Sequence, residues 1–188
     1  MKKNLVFINF IAVVFLASCS KIGGKPSTTK VFEEEILPTS PYQSIAVSAS
    51  GEGTLLLEHL NGIEQHFSFN VRKYINGNVV GVWESKSPGQ NLRTHGILNC
   101  INFLDQNTVY ITGIITQKIG SGFPGEYEPG MPIWFRIKDM GEGNNSEPDQ
   151  FTDYYSIPGI ECINYPQASM HSITSGNIKI IINNQANY

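Results

Sequence analysis

The stretch Glu64–Ile75, EQHFSFNVRKYI, decides the fold class because apolar and polar side chains alternate along it. A period of two residues is typical of a β-strand that is buried on one side. We expect the polar face to meet solvent, as one face of an antiparallel sheet commonly does; the interior of a polar barrel is the alternative. The predicted buried face carries Phe67, Phe69, Val71 and Ile75, and the predicted polar face carries His66, Ser68, Asn70, Arg72 and Tyr74.

Asn-Gly pairs lie on both sides of this stretch, at residues 61–62 and 76–77. Asn-Gly supplies the positive φ angles that two-residue hairpins require. We therefore predict a three-strand meander made of Gly53–His59, Glu64–Ile75 and Asn78–Glu84.

Further strands are predicted along the rest of the chain, where Ile, Val and Thr recur between turn residues. They are Gly96–Leu104, Thr108–Gln117, Pro132–Asp139, Phe151–Ser156 and Asn177–Ile182. No stretch is typical of a long helix. The sequence thus predicts an all-β fold, an antiparallel meander of about eight strands. It leaves open whether the meander closes into a small barrel or folds as a sandwich.

The N-terminus has the pattern of a secretion signal. Lys2 and Lys3 precede an apolar run over Leu5–Leu16, and small residues precede Cys19. The run is too short to span a bilayer, which takes about 20 residues, but it suits the translocon. Leu16-Ala17-Ser18-Cys19 resembles the lipobox of bacterial lipoproteins. We therefore predict a lipoprotein signal peptide over residues 1–18.

The lipoprotein resemblance implies that Cys19 is lipidated and that the chain is attached to a membrane. Several acyl chains, at about 0.8 kcal/mol per buried methylene, make such an attachment effectively permanent. Ser20 follows the cysteine in place of the aspartate of inner-membrane lipoproteins, which favours the outer membrane. The acidic run Glu33–Glu35 lies well downstream of the cysteine, which favours the periplasmic face over the cell surface. We predict that residues 19–44 form a flexible tether and that residues 45–188 form one all-β domain.

The charge of the chain argues against a nucleic-acid partner. The formal net charge is −3, and removal of the signal peptide takes away two of the lysines. Duplex binding requires clustered Lys and Arg, so we expect no nucleic-acid partner.

Once Cys19 is lipidated, Cys100 and Cys162 remain as a pair in an oxidising compartment. We predict a disulfide between them, with two separately buried thiols as the alternative.

Three short motifs carry a second resemblance. They are Phe67–Val71, Asn107–Gly113 and Phe135–Glu142, the last followed by Asp149-Gln150-Phe151. Together they resemble a poorly characterised class of secreted bacterial β-domains, in which a similar strand runs into an Asp-Asn-Gly-Glu turn. Met140 stands here where that turn has asparagine. The resemblance implies an extracytoplasmic all-β domain and brings no catalytic residues with it.

An acidic loop follows the predicted strand Pro132–Asp139. Calcium takes about six to eight oxygen ligands, and carboxylates and amides on a Gly-bearing loop can supply them. The spacing differs from that of an EF-hand, and we favour a solvated acidic turn over a calcium site. No cofactor is expected, and calcium is the alternative. The residues proposed for calcium are Asp139, Glu142, Asn144, Glu147 and Asp149, with Asn145 and Asp153 nearby.

Aromatic residues in the second half of the chain form a second candidate site. Tyr127, Trp134 and Tyr154, together with Phe123 and Tyr155, would offer stacking area to a sugar or an apolar ligand. The alternative is that these rings belong to the core or to the rim of a barrel.

Catalytic motifs are missing from the sequence. The four histidines lack zinc-binding spacing, and neither Gly-x-Ser-x-Gly nor a phosphate-binding loop occurs. We therefore expect no enzyme but a binding or envelope-structural role. The alternatives are a small ligand- or calcium-binding β-barrel, and an envelope polymer hydrolase acting through Glu126, Glu128 or Glu142.

Overall fold

The computed structural model describes residues 44–143, 145–158, 162–163 and 166–183, all within one compact unit, Ser40–Tyr188. The fold is all-β, as predicted, and the described residues contain no α-helix. No helix in this part of the chain is long and apolar enough to cross a membrane. The strands are β1 (Ile45–Leu57), β2 (Ile63–Tyr74), β3 (Val79–Ser87), β4 (Leu92–Phe103), β5 (Thr108–Gly120), β6 (Pro132–Lys138), β7 (Gln150–Phe151), β8 (His171–Ser172) and β9 (Ser175–Ile182).

The nine strands form a single antiparallel sheet in the order β8-β7-β6-β5-β4-β3-β2-β1-β9. Strands β1 to β8 follow chain order, which confirms the predicted meander, and β9 returns to lie beside β1. The single sheet curls into a half-barrel, which is nearer to the predicted barrel than to a sandwich of two sheets. Only residues 173–174 separate β8 from β9, and the Thr174 amide donates to the Thr54 carbonyl at 2.8 Å.

The turns of the first meander differ from the prediction. A 3-10 turn over Glu58–Leu60 precedes Asn61, so the first connection is longer than a two-residue hairpin. Ile75 was predicted to be buried but is 56% exposed. The reason is that β2 ends at Tyr74, and Ile75 already belongs to the turn into β3. On the polar face Ser68, Asn70 and Arg72 are exposed, as expected.

Strand β1 begins at Ile45, before the predicted start at Gly53, and glycines inside it provide room for rings of the core. A Cβ atom on Gly51 would lie 2.9 Å from the Phe69 ring, and one on Gly53 would lie 3.1 Å from the Phe67 ring. These glycines allow neighbouring strands to place large side chains over β1.

Aromatic rings dominate the core of the half-barrel. Phe67 and Phe151 stack with their centroids 4.4 Å apart, and Phe135 stacks on Phe151 at 5.1 Å. The Trp83 indole lies over Gly96, its register partner on β4, because no side chain occupies that position. Core positions of this kind tolerate little added volume.

Part of the outer face of the sheet is also covered. Trp134 is 2% exposed although it points away from its core-facing neighbours Ile133 and Phe135 on β6. Its ring stacks on Tyr155 at 4.8 Å and lies 5.6 Å from Tyr110. Chain that follows β7 therefore covers this side of the sheet.

The structure brings Cys100 of β4 together with Cys162 on this covered side. Their Cα atoms are 6.0 Å apart, which is the usual separation for a disulfide. Nearby, the Arg136 guanidinium donates to the Ala168 carbonyl. The sheet and the segment that crosses its outer face are thus joined at two points.

Candidate functional site

A recess at one end of the half-barrel is the best candidate site. We call it the end recess. It has a volume of about 200 Å³ and lies between the turns that follow β1 and β3, the loop after β5 and the segment after β7. Its lining residues are Leu57, Leu60, Ile63, Gln65, Ser87, Gln90, Phe123, Tyr127, Asp153, Tyr154 and Tyr155.

The loop between β5 and β6 forms the aromatic wall of the end recess, and Lys118 holds that loop in shape. The Lys118 side chain is only 9% exposed. Its ammonium donates to the carbonyls of Phe123 at 2.9 Å and Glu126 at 2.7 Å, and it pairs with the Glu128 carboxylate at 2.6 Å. Three acceptors around one buried cation fix the loop before any ligand arrives.

Two aromatic residues of this loop have strained backbones. Phe123 has φ 49° and Tyr127 has φ 54°, the left-handed region that bulky residues rarely adopt. Each such residue costs on the order of 1–3 kcal/mol, and strain of this kind clusters at ligand-binding positions. The two rings meet edge to face with centroids 5.8 Å apart, and Tyr127 meets Tyr154 at 5.3 Å.

The floor of the end recess is polar, because Gln65 points inward from β2. Gln65 is 1% exposed, and its amide nitrogen donates to the Ser85 hydroxyl at 3.1 Å. The Gln65 Oε1 atom has no hydrogen-bond partner among the described residues. An unpaired buried acceptor costs about 1–3 kcal/mol, so a donor from a ligand would be favourable there.

Asp153 adds a carboxylate to the same wall. It is 8% exposed, and its Oδ1 accepts from the Tyr154 amide at 2.7 Å. Burial, and after it the negative charge of Asp153, raise the pKa of Tyr127 far above its usual value. Burial also raises the pKa of Tyr155, with Asp153 again contributing. The phenols around Asp153 therefore stay neutral at any physiological pH.

Two of the three aromatic residues put forward from the sequence lie in the end recess. Tyr127 and Tyr154 line it, as do Phe123 and Tyr155. Trp134 does not line it, because that side chain lies on the outer face behind Tyr155. Trp134 is therefore not part of the end recess, and its ring packs behind Tyr155, which lines the wall.

Comparison of this chain with protein-family models, curated proteins and solved structures found no match. A function must accordingly be inferred from the chemistry of the site.

The acidic loop after β6 lies along the free edge of β9. Asp149 accepts the Ile178 amide at 2.7 Å, and Asp139 accepts the Ile180 amide at 2.9 Å. The Glu142 carboxylate meets the side-chain amide of Asn177 at 3.2 Å. An exposed strand edge is open to unwanted pairing, and these carboxylates satisfy its N–H groups in place of a tenth strand.

This arrangement gives the residues considered for calcium a structural role. Asp139 and Asp149 are engaged with backbone amides, and Glu147 is exposed to solvent. Asn144 lies outside the described residues. Among the residues that the structure does describe, no group of three or more His, Cys, Asp or Glu side chains is placed to hold a metal ion.

A larger, open groove of about 580 Å³ crosses the outer face of β9, β1, β2, β3 and β4. Its main charged group is Glu84, which lies 3.0 Å from both Lys86 and Arg93 and 3.5 Å from His95. Burial alone would raise the pKa of Glu84, but the hydrogen bonds from Lys86 and Arg93 outweigh it and lower that pKa. Because these charges compensate one another, the groove offers a charged ligand little net attraction. The end recess is therefore the better candidate site.

Proposed function

We propose that this protein is a lipid-anchored extracytoplasmic β-domain whose role is binding and not catalysis, with the end recess as its binding site. The observation that carries this proposal is a preorganised aromatic wall facing a buried acceptor. Lys118 fixes the loop that bears Phe123 and Tyr127, and the Gln65 Oε1 atom opposite lacks a partner among the described residues. Preorganised sites bind well because little entropy is lost on ordering them.

The anchor is part of the same proposal. Cys19 would carry the lipid, and residues 19–44 would tether the domain to the outer membrane on its periplasmic side. Residues 19–43 lie outside the described part of the chain, so the proposal of an anchor rests on the lipobox alone.

A hydrolase and a calcium-binding barrel remain as alternatives that the contacts favour less. Glu128 is paired with Lys118, and Glu142 contacts Asn177. Glu126 is exposed on the loop. A pair of carboxylates facing each other across a cleft would support a hydrolase, and these three side chains are not arranged in that way around the end recess.

Native mass spectrometry of the full chain tests the binding proposal. The protein would be purified in detergent from an oxidising compartment without chelators and incubated with an envelope extract. We expect an added mass that is lost in Gln65→Leu and retained in Gln117→Leu, which makes the same change at an exposed position of β5. An added mass that persists in both variants, or no added mass at all, would contradict binding in the end recess.

An envelope-structural role is the second candidate, and one surface feature favours it. Val82, Ile97 and Ile114 are register partners on β3, β4 and β5, and all three are exposed. We call them the outer apolar row. Contiguous apolar surface of this kind is typical of contacts between proteins. Crosslinking in cells from Ile97, compared with crosslinking from exposed Gln106, would show whether a partner covers the row.

A further inference from the structure

We propose that the end recess binds a small neutral aromatic molecule that donates a hydrogen bond, namely a single ring that carries a hydroxyl group, as in a phenol. This inference rests on the proposed binding function and names the ligand class. Three features of the end recess support it: a buried acceptor on the floor, aromatic rings in the wall, and a small volume whose lining has no cationic side chain.

The floor of the end recess requires a hydrogen-bond donor. Gln65 lines the end recess and is 1% exposed, and its Oε1 atom has no hydrogen-bond partner among the described residues. The nitrogen of the same amide is satisfied, because it donates to the Ser85 hydroxyl at 3.1 Å. An unpaired buried acceptor is costly, so a ligand hydroxyl that donates to Oε1 would remove that cost.

The surroundings of Ser85 indicate which atom of the Gln65 amide lacks a partner. Burial raises the pKa of the Tyr154 phenol, and a hydrogen bond with the Ser85 side chain opposes that rise. A serine hydroxyl has one proton to donate, and Ser85 can donate it to Tyr154 while it accepts from the Gln65 nitrogen. The Gln65 oxygen is therefore the atom that is left for a ligand.

The wall of the end recess favours an aromatic ring over an aliphatic one. Phe123, Tyr127, Tyr154 and Tyr155 all line it, and edge-to-face contacts place Tyr127 between Phe123 and Tyr154. Aromatic pairs in edge-to-face or offset arrangements are more favourable than their buried area alone predicts. Lys118 holds the loop that bears Phe123 and Tyr127, so the wall is formed before a ring enters.

The lining of the end recess suits a neutral molecule. The lining residues, all of which belong to the described part of the chain, include no Lys, Arg or His, so an anion would meet no counter-charge there. The Asp153 carboxylate is engaged within the protein, where it accepts the Tyr154 amide at 2.7 Å. Because a charge that leaves water without a counter-charge is costly, a neutral hydroxyl is the better donor for this floor.

Size limits the ligand to about one ring. The volume of about 200 Å³ is below the range of about 300–1,000 Å³ that accommodates drug-sized ligands. Leu57, Leu60 and Ile63 provide apolar contacts for the ring. Longer ligands would have to extend out of the end recess into solvent.

Titration calorimetry with phenol and fluorobenzene tests the requirement for a donor. The two probes share the ring and differ only in that a hydroxyl replaces a fluorine. The full chain in non-ionic detergent would be titrated with each probe, and titrations into detergent alone would correct for uptake by the micelles. We expect phenol to bind about tenfold more tightly, because only its hydroxyl can donate to the Gln65 oxygen.

Cyclohexanol tests the requirement for an aromatic ring, because it keeps the hydroxyl and loses the aromatic system. We expect it to bind at least about threefold more weakly than phenol. Cyclohexanol that binds as tightly as phenol would overturn the choice of an aromatic ligand.

Gln65→Leu removes the acceptor and keeps a side chain of similar size. It should weaken phenol to the affinity of fluorobenzene and leave fluorobenzene unchanged. Gln117→Leu is the matched control, because it makes the same change at an exposed position of β5, and it should keep the tenfold preference for phenol.

Equal affinity for phenol and fluorobenzene in the unmodified chain would overturn the donor inference while leaving the proposed binding function intact. Binding of none of the three probes, or loss of the preference in Gln117→Leu, would also overturn it. The comparison of probes on the unmodified chain keeps the test decisive even if Gln65→Leu unfolds. Failure of the binding function itself would appear separately, as the absence of any added mass in the native mass spectrum.

Discussion

Replacing Asp149 with alanine tests whether the acidic loop closes the edge of the half-barrel. The Asp149 carboxylate is 6% exposed, and it accepts the Ile178 amide at 2.7 Å and the Met140 amide at 2.8 Å. Alanine removes both acceptors at once. The amide of Ile178 would then be a buried donor without an acceptor, on a strand whose edge has no other neighbour in the sheet order.

The expected loss follows from these two hydrogen bonds. A hydrogen bond to a charged group contributes about 1.5–3 kcal/mol, so the loss of two gives about 3–6 kcal/mol. The Met140 amide is only partly buried and can recover a bond with water, which places the expected value near the lower end, at about 3 kcal/mol. For a domain of this size that corresponds to a fall of about 6–12 °C in Tm.

Thermal and urea unfolding, followed by tryptophan fluorescence, would measure the change. Glu142→Ala is the control, because it removes one carboxylate from the same loop but breaks only an exposed contact with Asn177. We expect it to cost less than about 0.5 kcal/mol. A stability of Asp149→Ala within about 0.5 kcal/mol of the unmodified chain, or an equal loss in Glu142→Ala, would refute the edge-capping role.

Three further changes have outcomes that the sequence and structure define. Cys19→Ala should leave the chain unlipidated and in the soluble fraction after cell fractionation, and a membrane-bound variant would contradict the anchor. The oxidised chain should weigh about two hydrogens less than its reduced form, and a mass equal to that of the dithiol would rule out the disulfide. Cys162→Ser should lower the free energy of unfolding by about 2–4 kcal/mol, because it removes the disulfide and frees Cys100. Gly96→Ala should cost at least about 1–3 kcal/mol in urea unfolding, because its methyl group would meet an indole nitrogen, whereas Gly89→Ala, with open space around it, should be close to neutral.

The fold class followed from the sequence because the decisive signal is local. Phe67, Phe69 and Val71 keep the alternating period through β2, and turn residues mark where each neighbouring strand begins. Consecutive strands pair with one another, through short turns from β1 to β5 and through longer loops on to β7, which confirms the predicted meander. Errors arose at the ends of strands, as at Ile75, where the period continues by chance into a turn.

The pairing of strands that are far apart in sequence could not be predicted from local patterns. Strand β9 lies beside β1, and its free edge is capped by Asp139 and Asp149 from a loop far away in sequence. Nothing within either segment specifies the other. The acidic loop therefore suggested calcium or solvent, since a carboxylate that accepts backbone amides has the same residue type as one that binds metal.

The end recess is predictable in part from the sequence, and its floor has a further signal in the alternation along β2. Tyr127 and Tyr154 were recognised as aromatic candidates. Gln65 was not recognised as a candidate. It alternates with exposed residues in step with Phe67 and Phe69, so its side chain lies on the core side of β2. A polar residue in a buried phase has to find a partner inside the protein or in a ligand. Ser85 satisfies the Gln65 nitrogen, and the unpartnered Oε1 atom is what directs attention to a ligand that donates.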